Sequence, residues 1–181
     1  VVAAAFDPNE NLLYFVIGNT LYVNDMNMDG PSVAIGTLPG IPVGGAFING
    51  NFYYLDSDPN SPNYGEIIEV QLSYDANTGW TVVINDNFSS PLPYTSYSIT
   101  DMAANGTDIY LVGNDNNNNG QVGLISFNIG SGDWSSNVTD TQLSGISQIA
   151  FGPDGNLYAV DANSTGDSDL VTLNPDTGDK D

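Results

Sequence analysis

Cysteine and histidine are absent from this 181-residue chain, and Lys180 is its only basic side chain. Without cysteine there is no disulfide framework, no thiol nucleophile and no thiolate metal site. Without histidine the usual general base near neutral pH is missing, and so is the commonest zinc ligand. One lysine cannot neutralise a phosphate backbone, which excludes a nucleic-acid partner. The same shortage excludes an anionic membrane surface unless a divalent cation bridges the two. No apolar run approaches the roughly 18 residues of a spanning helix, so direct membrane insertion is not expected. No charged-then-apolar leader opens the chain, and a targeting signal is expected to be removed or to lie outside these residues.

Against the single lysine stand 22 acidic residues, giving a formal net charge of −21. Only Glu10, Glu66 and Glu69 are Glu; every other acid is Asp. Hydrophobic residues make up 40% of the chain and aromatics 10%, enough to build a core despite the charge. Asp, Asn and Gly are turn formers, because they accept left-handed backbone angles or cap turns with their side chains. No 12-residue window carries the apolar stripe of an amphipathic helix. The chain reads as all-β.

Four segments share one order of features. Each has a small-plus-apolar strand, a tight polar turn, and a strand that re-enters at an apolar–Tyr pair. They are Ala4-Ala5-Phe6 into Leu12–Val16, Gly45-Ala46-Phe47 into Phe52–Asp56, Met102-Ala103-Ala104 into Ile109–Val112, and Ile149-Ala150-Phe151 into Leu157–Asp161. The equivalent tyrosines Tyr14, Tyr53, Tyr110 and Tyr158 are 39, 57 and 48 residues apart. A further apolar strand and a second turn follow in each repeat, and another strand follows in three of them. A period of about 40–50 residues with three or four short strands is the signature of β-propeller blades. The expected organisation is one propeller region over 1–181, with repeats at about 1–43, 44–100, 101–147 and 148–181. A β-sandwich is the competing architecture. The fourth repeat lacks an outer strand, so the region is expected to belong to a larger propeller or to have its edge covered by another chain.

The fourth repeat reads Ile149-Ala150-Phe151-Gly152-Pro153-Asp154-Gly155-Asn156-Leu157-Tyr158-Ala159-Val160-Asp161 and closes on Leu173-Asn174-Pro175-Asp176-Thr177-Gly178. It resembles secreted bacterial β-propeller repeats, the NHL- and YVTN-like blades of large cell-surface proteins. The resemblance extends over all four repeats and is cleanest in the fourth. It implies blades that serve adhesion, scaffolding and occasionally catalysis, and it carries over no catalytic residues.

Two loops have the alternating oxygen donors of a calcium site. Asp25, Asn27 and Asp29 precede Gly30, and Asp115, Asn117 and Asn119 precede Gly120. An EF-hand needs a bidentate Glu at the twelfth place, where Gly36 and Ser126 stand, so only a simpler loop site for calcium is expected. Ordinary polar turns explain the same spacing. Asp56 and Asp58, like Asp161, Asp167 and Asp169, follow second strands and are expected to form an acidic rim.

Phe88, Tyr94 and Tyr97 lie on the longest insertion, where exposed rings on a rigid β scaffold are a candidate glycan site. Sequons occur at Asn87, Asn105, Asn137 and Asn163. The expected function is a non-catalytic extracellular structural or adhesion module of a cell-surface or filamentous assembly, whose partners are other copies or other chains. Its alternatives are a glycan-binding propeller using the rim loop and a carboxylate-based hydrolase.

Overall fold

The computed structural model describes residues 2–117, 119, 121–135, 143–162 and 167–180, and the backbone of 138–139. Two compact units, Val1–Leu92 and Pro93–Asp181, each hold two antiparallel sheets. The first unit contains β1 (Ala3–Asp7), β2 (Leu12–Ile17), β3 (Thr20–Asp25) and β4 (Val33–Thr37), paired in chain order. Its second sheet is β5 (Pro42–Ile48), β6 (Asn51–Asp56), β7 (Ile67–Asp75) and β8 (Gly79–Asn85), again paired in order.

The second unit begins with β9 (Tyr97–Asn105), β10 (Asp108–Asp115) and β11 (Gln121–Asn128), whose outer side takes the short strands β12 (Asp133–Trp134) and β13 (Val138–Thr139). Its other sheet is β14 (Ile146–Phe151), β15 (Leu157–Ala162) and β16 (Ser168–Leu173). Within the units, β1 lies beside β5 and β9 beside β14, first strand against first strand. Meanders stacked in this way are β-propeller blades, the all-β class expected from the repeats. The fourth blade has three strands and an isolated bridge, Leu173 to Lys180.

Register explains the repeat at residue level. Tyr14, Tyr53, Tyr110 and Tyr158 all lie on second strands, and each stands directly opposite an alanine of the first strand: Ala5, Ala46, Ala103 and Ala150. A small residue opposite a large ring lets the side-chain layer close without a void. The tight turns between these strands have their own requirement. Asn49 and Gly50 both have positive φ, 51° and 87°, as a two-residue hairpin matched to strand twist demands.

The first unit's core gathers Val16, Leu21, Phe52, Tyr54, Ile68 and Val70 from its two sheets. Val112, Leu124, Leu143, Ile146 and Leu157 form the core of the second. Inside the fourth blade, the Phe151–Tyr158 motif acts as a structural unit. The Tyr158 hydroxyl donates to Asp154 Oδ2 at 2.8 Å, and its ring lies so close to Gly152 that a β-carbon there would be 2.6 Å from Cε2.

Close approach of β1 and β5 leaves no room for a side chain at Gly45, where a β-carbon would lie 2.6 Å from the Ala4 carbonyl oxygen. Gly45→Ala therefore forces backbone to move and should cost about 1–3 kcal/mol in urea unfolding. Gly30→Ala, with nothing within 4 Å, serves as the neutral comparison. An unchanged midpoint in Gly45→Ala would show that the two strands are not packed this tightly.

Candidate functional site

Carboxylate and amide oxygens in the loops are largely committed to their own turns. Asp25 Oδ1 accepts the Asn27 N–H at 2.8 Å, and Asp115 Oδ1 accepts the Asn117 N–H at 3.0 Å. Asn27 Oδ1 in turn accepts from Asn11 Nδ2, tying the loop after β3 to the turn between β1 and β2. Asp7, Asp58, Asp75 and Asp154 cap their turns in the same manner, as do Asn128 and Asn174. An oxygen at position i that accepts the N–H at i+2 is the Asx turn, and it needs no cation.

Of the six residues expected as calcium ligands, Asp25 and Asp115 are the half-exposed last residues of β3 and β10, and Asn27, Asp29, Asn117 and Asn119 are exposed just beyond them. Asn119 has a positive φ of 54°, while Asn118 and Gly120 lie outside the described residues. Among the described residues no three carboxylates gather in a metal-binding group.

Asp56 is buried and structural. Its Oδ1 accepts N–H groups from Ile41 at 3.0 Å and Asp58 at 2.9 Å, and a β-carbon on Gly40 would collide with this carboxylate. Asp161 holds the matching place in the fourth blade beside Gly145, but it is paired with Lys180 Nζ at 2.8 Å. Lys180 also donates to the Ser144 carbonyl at 3.2 Å.

The most elaborate polar cluster surrounds Glu69 on β7, on the face of the second sheet opposite Tyr54 and Ile68. Glu69 is 8% exposed and accepts four side-chain hydrogen bonds. Asn51 Nδ2 and the Tyr53 hydroxyl donate to Oε1 at 2.9 and 3.0 Å, and Gln71 Nε2 and Asn85 Nδ2 donate to Oε2 at 3.1 and 3.0 Å. Register brings them together, with Tyr53 and Asn85 directly opposite Glu69 on the two flanking strands.

Burial alone would raise the Glu69 pKa, but the hydrogen bonds from Asn85, Gln71, Tyr53 and Asn51 outweigh it and hold the carboxyl below its ordinary value. Burial is also the main cause that pushes the Tyr53 hydroxyl up to about 12. This is a locked anion site, with donors built from neutral side chains. Sequence reasoning missed it, although a lone Glu among Ile67, Ile68 and Val70 was its one visible signal.

The aromatic insertion folds back on the protein. Phe88 packs on Tyr53 within the first unit, ring centroids 5.2 Å apart. In the second unit Tyr94 meets the buried Tyr97 edge-on at 6.1 Å, and its hydroxyl donates to the Ser135 carbonyl at 3.1 Å. Tyr94 and Tyr97 are brought together, and Phe88 is held by a different partner. Of the sequons, Asn87 and Asn105 are exposed; Asn137 and Asn163 lie outside the described residues.

No family model and no curated protein matches the chain. Similar solved structures include the hemopexin fold protein CP4 from cow pea, 12% identical with a TM-score of 0.48, covering 96% of this chain and 91% of that one. Streptogramin B lyase is 14% identical with a TM-score of 0.49, covering 99% of this chain; the chain spans about half of that protein, 53% of its length.

Removing the charge tests the Glu69 site. Its lowered folded pKa contributes stability above the unfolded value, ordinarily 4.5, and that contribution is lost as pH falls through the folded value. Asp101, raised chiefly by burial although it accepts the Ile149 N–H at 3.0 Å, has the opposite sign: its penalty relaxes as pH falls. Glu69→Gln should therefore cost roughly 1–3 kcal/mol at neutral pH, since an amide donor now faces donors. It should also flatten the fall of the urea midpoint below about pH 4.5. A variant with the wild-type midpoint and pH profile would show that the four hydrogen bonds contribute nothing net.

Proposed function

We propose that the chain is a non-catalytic structural or adhesion module of an extracellular, cell-surface assembly, built from blades of the NHL- and YVTN-like secreted bacterial kind. The observation that carries this reading is the use of the acidic side chains. Asp7, Asp25, Asp58, Asp75, Asp115 and Asp154 cap their own turns, and Glu69 is enclosed by four neutral donors. A carboxylate hydrolase needs the reverse, two carboxylates facing each other across a cleft with one kept protonated. Calcium at Asp25, Asn27 and Asp29 would add to stability by mass action, beyond the general screening of a −21 chain. The third strand β16, paired on its outer side only at Leu173 among the described residues, is a place where another chain of the assembly would add a strand.

Deletion of this segment from its native surface protein is the direct test. Attachment of cells to a surface should fall on deletion, and calcium should support wild-type attachment better than magnesium at equal ionic strength. Unchanged attachment, or a polysaccharide hydrolase activity lost with the segment, would overturn the module reading. Equal effects of the two ions would remove calcium from it.

A further inference from the structure

β7 runs four residues past the end of its pairing with β6, which stops at Gln71 opposite Asn51. Only β8 pairs with it there, and the β7–β8 hairpin reaches past the second blade's other strands to lie against the first sheet, with Leu72, Trp80 and Val82 packed on the core and Val82 beside Gly36 of β4. Near its tip Tyr74 and Trp80 stand directly opposite each other, ring centroids 5.3 Å apart and planes tilted by 51°. Trp80 is held from behind. It meets the buried Tyr14 ring edge-on at 6.0 Å, and Tyr14 stacks on Phe47 at 5.1 Å. The four rings form a continuous column from the first unit's core to its surface. Tyr74, the last ring, is 64% exposed, an unusual fraction for so large a side chain backed by such a support.

We propose that Tyr74, supported by Trp80, binds the lysine or arginine side chains of a basic segment in a protein partner. Three observations select a cation over a sugar. An aromatic face carries negative quadrupole density, and a cation over it gains more where carboxylates lie near. Asp75 follows Tyr74 on the exposed hairpin tip; strand alternation sends its carboxylate to the hairpin's other face, where it adds to the local negative field without sharing the ring's contact. The two outer rings are tilted, so they offer one compact contact instead of the flat double platform that suits an extended glycan. Finally, a net charge of −21 draws cationic groups toward the whole surface and repels another copy of the chain. The inference deepens the adhesion reading by naming the chemistry of one contact. It rests on that reading only in making the partner a macromolecule.

Heteronuclear NMR gives a test that is independent of cell attachment, because the chain's two tryptophans, Trp80 and Trp134, report separately through their indole N–H signals. The probes are a capped tetra-arginine peptide, a capped tetra-glycine peptide and cellohexaose. Tetra-arginine should shift the Trp80 indole signal and leave that of Trp134 in place, with an affinity that falls as salt rises. Tyr74→Ala should weaken that binding roughly two- to fivefold, while Tyr74→Phe, which keeps the ring, should retain it. Tetra-arginine binding that Tyr74→Ala leaves unchanged would mean net charge alone and overturn the site. So would a Trp80 shift with cellohexaose and none with tetra-arginine, or a Tyr74→Phe loss equal to that of Tyr74→Ala.

Discussion

A carboxylate in a folded protein must find donors, and a chain with one lysine has to supply them from neutral groups. Here the donors are main-chain N–H groups in the turns and amide or hydroxyl side chains on the strands. Asp75 is bonded to the N–H groups of Asn77 and Thr78, and Asn128 and Asn174 repeat that geometry in the second unit. Each such turn closes with a glycine of positive φ: Gly79, Gly132 or Gly178. The same constraint operates inside the protein at Glu69, where the second blade devotes Asn51, Tyr53, Gln71 and Asn85 to one buried charge.

Satisfying acids in this way lets Asp25, Asp75, Asp115, Asp154 and Glu69 do without an ion-pair partner. Asp161 and Lys180 form the one salt bridge among the described residues, and it fastens Lys180 beside the third strand of the last blade. The equivalent Asp56 manages without a cation by accepting two backbone N–H groups. Electrostatic self-repulsion is therefore carried at the surface, while burial of Val, Ile, Leu and aromatic side chains between stacked sheets holds each unit together.

What the sequence made legible was the local part of this arrangement. The tyrosine repeat located every second strand, because a Tyr opposite an Ala recurs in each hairpin and both residues lie close in sequence. Turn spacing could not separate a cation loop from an Asx turn, since both set oxygen donors two residues apart; Asp25 and Asn27 fit either description, and the 2.8 Å bond from the Asn27 N–H occupies only one of the Asp25 oxygens. The Glu69 cluster was hidden for another reason. Its donors come from three strands, up to 18 residues away, and only the register across β6, β7 and β8 brings them to one carboxylate. Phe88 likewise reads as a loop aromatic until Tyr53 is found beneath it.

Titration of individual aspartates by carbon-detected NMR tests the central claim most directly, because hydrogen bonding and burial move a carboxyl in opposite directions. Backbone N–H groups of Asn77 and Thr78 should hold Asp75 below its ordinary value of 3.8, and Tyr158 and Asn156 should do the same for Asp154. Asp101, whose environment is dominated by burial, should titrate above 3.8. Asp75 and Asp154 titrating at or above 3.8, level with Asp101, would contradict an architecture in which neutral donors take the place of cations.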